Sequence, residues 1–251
     1  MKLWFWLATL SMGLSALAVG QTSVPATIPA KSAPAQASSA PHTLDDPDLV
    51  RETQLGVHSN GDSQFVGLIW WIPTEFWEQA SMKHGATPEK AAKTFKSLRD
   101  YTVVGVFFAK VSALGAFEYA TPADLAKQVV LRDSDGVDYV TLDNVSPDAK
   151  NLSDVMRPML TNAMGRAGEN FAMLFFPART KSGKQIADPL TKGSFEVVLK
   201  QLAGEPESLY LWRTPLTSLT PARYCPVGKE LVHADWDYCP WHGTKLNAST
   251  K

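Results

Sequence analysis

The sequence predicts a mainly β protein: an immunoglobulin-like β-sandwich with two or three inserted helices and a small C-terminal hairpin. Three observations carry that reading. About seven short runs rich in β-branched and aromatic residues recur between residues 64 and 212, each bounded by turn-forming residues. Ser or Thr followed by Pro or an acid marks the helix starts between them. The last 28 residues hold both cysteines of the chain in two similar segments, too short to bury a core of their own.

The elements follow in order. Gln64 to Ile72 is apolar and aromatic, a buried strand, and Pro73-Thr74 stops it and opens a helix over 75–84, closed by Gly85. Thr87 caps a second helix with Pro88 in its first turn, running to about Arg99 with Ala91, Ala92, Phe95 and Leu98 on one face. Thr102 to Lys110 is a core strand. Gln128 to Arg132 and Val137 to Leu142 read as a hairpin about the Asp133-Ser-Asp-Gly136 turn. That turn also resembles the start of a calcium loop, but position 144 is Asn where the loop needs Glu, so the hairpin is the reading. Ser146-Pro147-Asp148 caps a helix ending at Gly165, with Pro158 as an expected kink or break. Strands over 171–176, 195–199 and 208–212 complete the set, with a Gly183 turn at 180–184.

The N-terminal end reads as targeting. Lys2, the apolar run from Leu3 and the small residues down to Ala18-Val19-Gly20 make an export signal over 1–20, with cleavage expected after Gly20. An uncleaved membrane anchor is the alternative. Residues 21–47, mostly Ala, Pro, Ser, Thr and Gln, lack the apolar surface to offset chain entropy and are expected to be a disordered spacer. A sandwich-like domain over 48–216 and a tail over 217–251 follow. The expected location is periplasmic or extracellular, the expected partner an unknown protein or envelope component, with membrane contact only if the signal stays uncleaved. The formal charge of −1 provides no basic field for nucleic acid.

The tail carries the chemistry. Tyr224-Cys225-Pro-Val-Gly228 leading to Leu231, and Tyr238-Cys239-Pro-Trp-His242-Gly243 leading to Leu246, are two versions of one segment. Over about 25 residues they resemble the knuckles of a zinc ribbon, where two Cys-Pro-x-Cys-Gly turns supply four ligands and a metal staples a region without its own core. The resemblance implies Cys225, Cys239 and His242 as zinc ligands, with His242 in the place of a thiolate. The first segment departs from the family: aligning Gly228 with Gly243 leaves its second ligand deleted. His233 in the connecting loop is the candidate fourth ligand, with Asp235 and Asp237 as weaker ones.

A disulfide between Cys225 and Cys239 is the competing reading, since an exported protein with two cysteines commonly pairs them. Closing so short a loop stabilises by about 3 kcal/mol in the chain-entropy model. Cys239-Pro-Trp-His242-Gly243 also resembles the second ligand box of Rieske iron–sulfur proteins, but Val227 stands where the first box needs His.

Elsewhere no Gly-x-Ser-x-Gly elbow, phosphate-cradling loop or His-Glu-x-x-His occurs. A Cys225 nucleophile with His233 as base is the one arrangement an enzyme could use. The tail aromatics Trp236, Tyr238 and Trp241 serve either to pack the tail on the body or to bind a partner. The expected function is a non-enzymatic binding or assembly module, with an enzyme of unknown class or a Rieske-like protein as alternatives.

Overall fold

Strand β3 (Tyr101–Val111) organises the chain. Its run of Val, Phe and Ala leaves seven of eleven residues buried, which requires cover on both faces. In the computed structural model, which describes residues 46–58, 64–201 and 207–246, β3 pairs along one edge with β2 (Gln64–Trp71). Along its other edge it pairs with β7 (Ala172–Pro177) and, further on, with β4 (Phe117–Tyr119). With β1 (Gln54–His58) outside β2, these form a five-stranded antiparallel sheet. A second antiparallel sheet runs β6 (Asp138–Tyr139), β5 (Val129–Arg132), β8 (Gly193–Leu199), β9 (Ser208–Thr214).

The period of two along β2 sorts its aromatic pair. Trp71 and Ile69 join the core that β2, β3 and β7 share with Val129, Leu131, Phe195, Val197 and Trp212 of the second sheet. Trp71 meets Phe195 edge-on at 4.8 Å, and Phe195 stacks on Trp212 at 5.5 Å. Trp70 and Ile72 enter a separate core with Phe171, Phe175 and helical residues. Gly105, at the centre of β3, leaves no room for a Cβ because the Phe171 ring lies on it.

The helices of that second core are α2 (Thr74–Lys83), α3 (Pro88–Thr94) and α5 (Pro147–Met164). They contribute Trp77 from α2 and Ala149, Leu152, Met156 and Leu160 from α5, with Leu98 from the 3₁₀ turn after α3. Helix α3 ends at Phe95, whose φ of −101° and ψ of 12° start that turn, so the continuous helix expected to Arg99 is broken there. Helix α5 runs unbroken past Pro158, contrary to the expected break, and ends where Gly165 takes φ 57°. Its start is as the sequence implies: the Ser146 Oγ accepts from the Ala149 N–H at 3.3 Å.

The architecture is sheet-rich, with several antiparallel sheets, but helix and strand each take about 32% of the described residues, so it is less purely β than expected. Helices α1 (Asp46–Thr53), α4 (Pro122–Gln128) and α6 (Arg166–Glu169) exceed the two or three expected. The expected export signal and nearly all of the spacer fall on residues 1–45, outside the described residues. Helix α1 begins at Asp46, two residues inside the expected spacer. Among the described residues no helix is long and apolar enough to cross a membrane.

The Asp133 turn is a hairpin device, as expected. Gly136 takes φ 80°, and the Asp133 carboxylate accepts from the Asp135 and Val137 N–H groups and the Tyr139 hydroxyl, each at 2.9 Å. Its oxygens are spent on the turn itself.

Candidate metal centre

The tail leaves the body through a 3₁₀ turn, Thr217–Leu219, whose first N–H groups need acceptors. Glu52 of α1 supplies them: its carboxylate accepts from the Thr217 N–H at 3.0 Å, the Ser218 N–H at 2.9 Å and the Ser218 hydroxyl at 2.6 Å. The Thr217 hydroxyl in turn accepts from the Ala234 N–H at 3.1 Å. This turn thereby ties the second sheet's last strand, α1 and the tail together.

Beyond it, β10 (Arg223–Tyr224) and β11 (Leu231–Val232) pair antiparallel. Each cysteine opens a turn of the same form. The Cys225 N–H donates to the Glu230 carbonyl at 2.9 Å, and the Lys229 N–H donates back to the Cys225 carbonyl at 3.0 Å. Fourteen residues later, the Cys239 N–H donates to Thr244 and the Gly243 N–H to Cys239, both at 2.8 Å. The fourth residue after each cysteine is left-handed, Lys229 at φ 64° and Gly243 at φ 62°.

This register corrects the alignment of the two segments. Gly243 corresponds to Lys229, not to Gly228, so nothing is deleted from the first knuckle. Gly228 stands where the second knuckle has His242. The ligand position is present and carries no side chain.

The knuckles bring four donors together. The ligand atoms of Cys225, Glu230, Cys239 and His242 all lie within 4.8 Å of one another. The His242 Nδ1 is 3.4 Å from each cysteine Sγ and 3.8 Å from the Glu230 Oε2. Zinc bonds of 2.0–2.3 Å in a tetrahedron put neighbouring donors about 3.3–3.8 Å apart. The three distances from His242 match that spacing and the other pairs lie within 4.8 Å, so the two sulfurs, nitrogen and oxygen are placed where they could hold one metal ion.

Both cysteines are buried free thiols. Burial pushes the Cys225 thiol up. The Gly228 and Val227 N–H groups directed at it, with the Cys239 thiol, outweigh that and hold it below the ordinary cysteine value. N–H groups aimed at sulfur favour the thiolate, the form that binds metal.

Of the sequence candidates, Cys225, Cys239 and His242 converge and His233 lies elsewhere. Its ring packs on Trp236 at 5.0 Å, and its Nδ1 faces the Thr217 hydroxyl at 3.4 Å and Asp235 at 3.9 Å. Asp237 pairs with Lys192 of the body. The pairing of Cys225 with a His233 base is thus not formed; His242 is the imidazole beside that sulfur. Trp236 packs against the small core of Cys225, Val232, Cys239 and Leu246, whereas Tyr238 and Trp241 stay exposed at 59% and 62%.

Glu230 was missed. Its place follows only from the backbone register: with Gly228 opposite His242, the first knuckle's donor is the Glu230 carboxylate, two residues on.

Comparison with protein-family models, curated proteins and solved structures finds no match for this chain.

Proposed function

We propose that this protein is an exported, non-enzymatic binding or assembly module whose C-terminal tail is closed by a zinc ion, with Cys225, Cys239 and His242 among its ligands. The convergence of two buried thiols, an imidazole and a carboxylate within 4.8 Å carries the metal part of this reading. Four such donors drawn from both knuckles suit a closed structural site, which substitutes for a core in a segment too small to have one. The tail buries only Cys225, Val232, Cys239 and Leu246 as its own cluster.

Export rests on the N-terminal sequence: Lys2, the apolar run and the small residues before Gln21. The binding role rests on Tyr238 and Trp241, large aromatics left in solvent. An immunoglobulin-like sandwich for the body is supported by the core that the two antiparallel sheets share.

Metal analysis combined with thiol counting on the purified protein tests the central claim. One zinc per chain, and two thiols titratable only after unfolding in chelator, is the expected result. No metal and no titratable thiol would mean that Cys225 and Cys239 form a disulfide, and the metal reading would be lost.

A further inference from the structure

We infer that Glu230 is the fourth metal ligand, standing in space where the first knuckle's own second ligand would stand. The inference rests on the metal reading above and deepens it by assigning the position that the zinc-ribbon resemblance leaves open.

Two independent features of the geometry meet here. The hydrogen bonds and left-handed residues of the two turns make Gly228 the counterpart of His242. A Cβ built on Gly228 would run into the Glu230 carboxylate, with both oxygens and Cδ as its nearest neighbours. The direction in which a side chain at 228 would leave the backbone is therefore the place the carboxylate fills. On the second knuckle the same direction carries the imidazole to the sulfurs.

The glutamate is set up to stay there. Its carbonyl accepts from the Cys225 N–H at 2.9 Å, which fixes its backbone beside the thiol it joins. Lys229, in between, takes the left-handed conformation that glycine takes in the second knuckle, φ 64°. Its ammonium folds back to the Pro226 carbonyl at 2.8 Å. Any larger residue at 228 would displace Glu230, so the glycine and the glutamate act as one unit.

The resulting donor set is two thiolates, one imidazole and one carboxylate. It fills four positions and leaves none for water or substrate, which makes the site structural rather than catalytic. The carboxylate and imidazole side chains are 41% and 31% exposed, against buried sulfurs, so solvent reaches the ion from the oxygen and nitrogen side.

Cobalt(II) titration of the full chain reads this out, because tetrahedral cobalt reports ligand type and number in its visible bands and sulfur charge-transfer bands. Glu230→Ala should weaken cobalt and zinc binding by more than about 100-fold, since even partners outside the ligand shell are worth about 10–100-fold. Glu230→Gln should weaken it in the same direction. Gly228→Cys combined with Glu230→Ala should restore binding and add a third sulfur charge-transfer contribution. Unchanged affinity and spectrum in Glu230→Ala overturns the assignment while leaving a metal site in place. Failure of the double variant to regain affinity overturns the claim that the two positions share one place. A wild-type chain that takes up neither metal overturns the underlying metal reading as well.

Discussion

From Leu49 to Leu216 the described residues bury twenty side chains in one core, among them Trp71, Phe176, Phe195, Ile69 and Val197, and eight more in a second. From Arg223 to Leu246 it buries four in a cluster, two of them cysteines. Hydrophobic burial, at about 25 cal/mol per Å², therefore contributes far more to order in the first region than in the second. What the tail has instead is two turns that repeat one hydrogen-bond pattern and aim their side chains at one point. The difference teaches that the two regions should respond to different insults: the body to a cavity, the tail to the loss of a donor.

The largest effect that separates them is a cavity in the body. Phe176 is fully buried in the core between the sheets. Phe176→Ala should cost about 3–5 kcal/mol, read as a lowered denaturation midpoint at unchanged slope. The metal stoichiometry of the folded fraction should stay at the wild-type value. A variant that loses metal in proportion to the lost stability would show that the tail has no independent source of order.

How far the sequence disclosed this division is uneven. Strands β2, β3, β7, β8 and β9 were legible because their β-branched and aromatic runs are long and end at turn residues. The Asp133 hairpin was legible because its carboxylate serves its own backbone. Helix α4 was overlooked although Thr121-Pro122 carries the same start signature as Thr87-Pro88. Seven residues with Leu125 alone fully buried make a weak periodic pattern. Helix α1 and strand β1 were hidden because the acids near Asp46 looked like the end of the spacer.

In the tail, three of the four converging donors were legible from residue type. The fourth was not, because Gly228 and Gly243 invite an alignment by identity, whereas the backbone places Lys229 opposite Gly243. Which residue is left-handed is decided by hydrogen-bond register, and residue type reports that only indirectly.

An intermediate effect lies at the joint between the regions. Glu52 accepts three hydrogen bonds from the turn at 217–218, across 165 residues of chain. Hydrogen bonds to a charged acceptor are worth about 1.5–3 kcal/mol, so Glu52→Ala should lower the body's stability by about that amount. Among the described residues the hydrogen bonds of Glu52 go to the turn at 217–218 and not to the four donors, so metal affinity should be unaffected. A fall in cobalt affinity in this variant would show that the body orients the knuckles, and would blur the separation between the regions.

The smallest effect concerns charge in the body alone. Burial pushes the Asp133 carboxyl up, but the Val137 N–H, the Tyr139 hydroxyl, the Asp135 N–H and nearby Lys184 outweigh that, holding it below the ordinary carboxylate value. A group depressed in this way contributes fully above its unfolded value, and loses that contribution as pH falls through the unfolded value towards the folded one. Asp133→Asn keeps the side chain's shape without its charge, so it should cost about 1 kcal/mol at neutral pH. The gap between wild type and variant should close as acid protonates the aspartate, since both chains then present a neutral group to the same donors. Denaturation midpoints measured across the acid range check this. A gap that stays constant through the carboxylate range would mean that the charge of Asp133 contributes nothing to the hairpin, and that its geometry alone does.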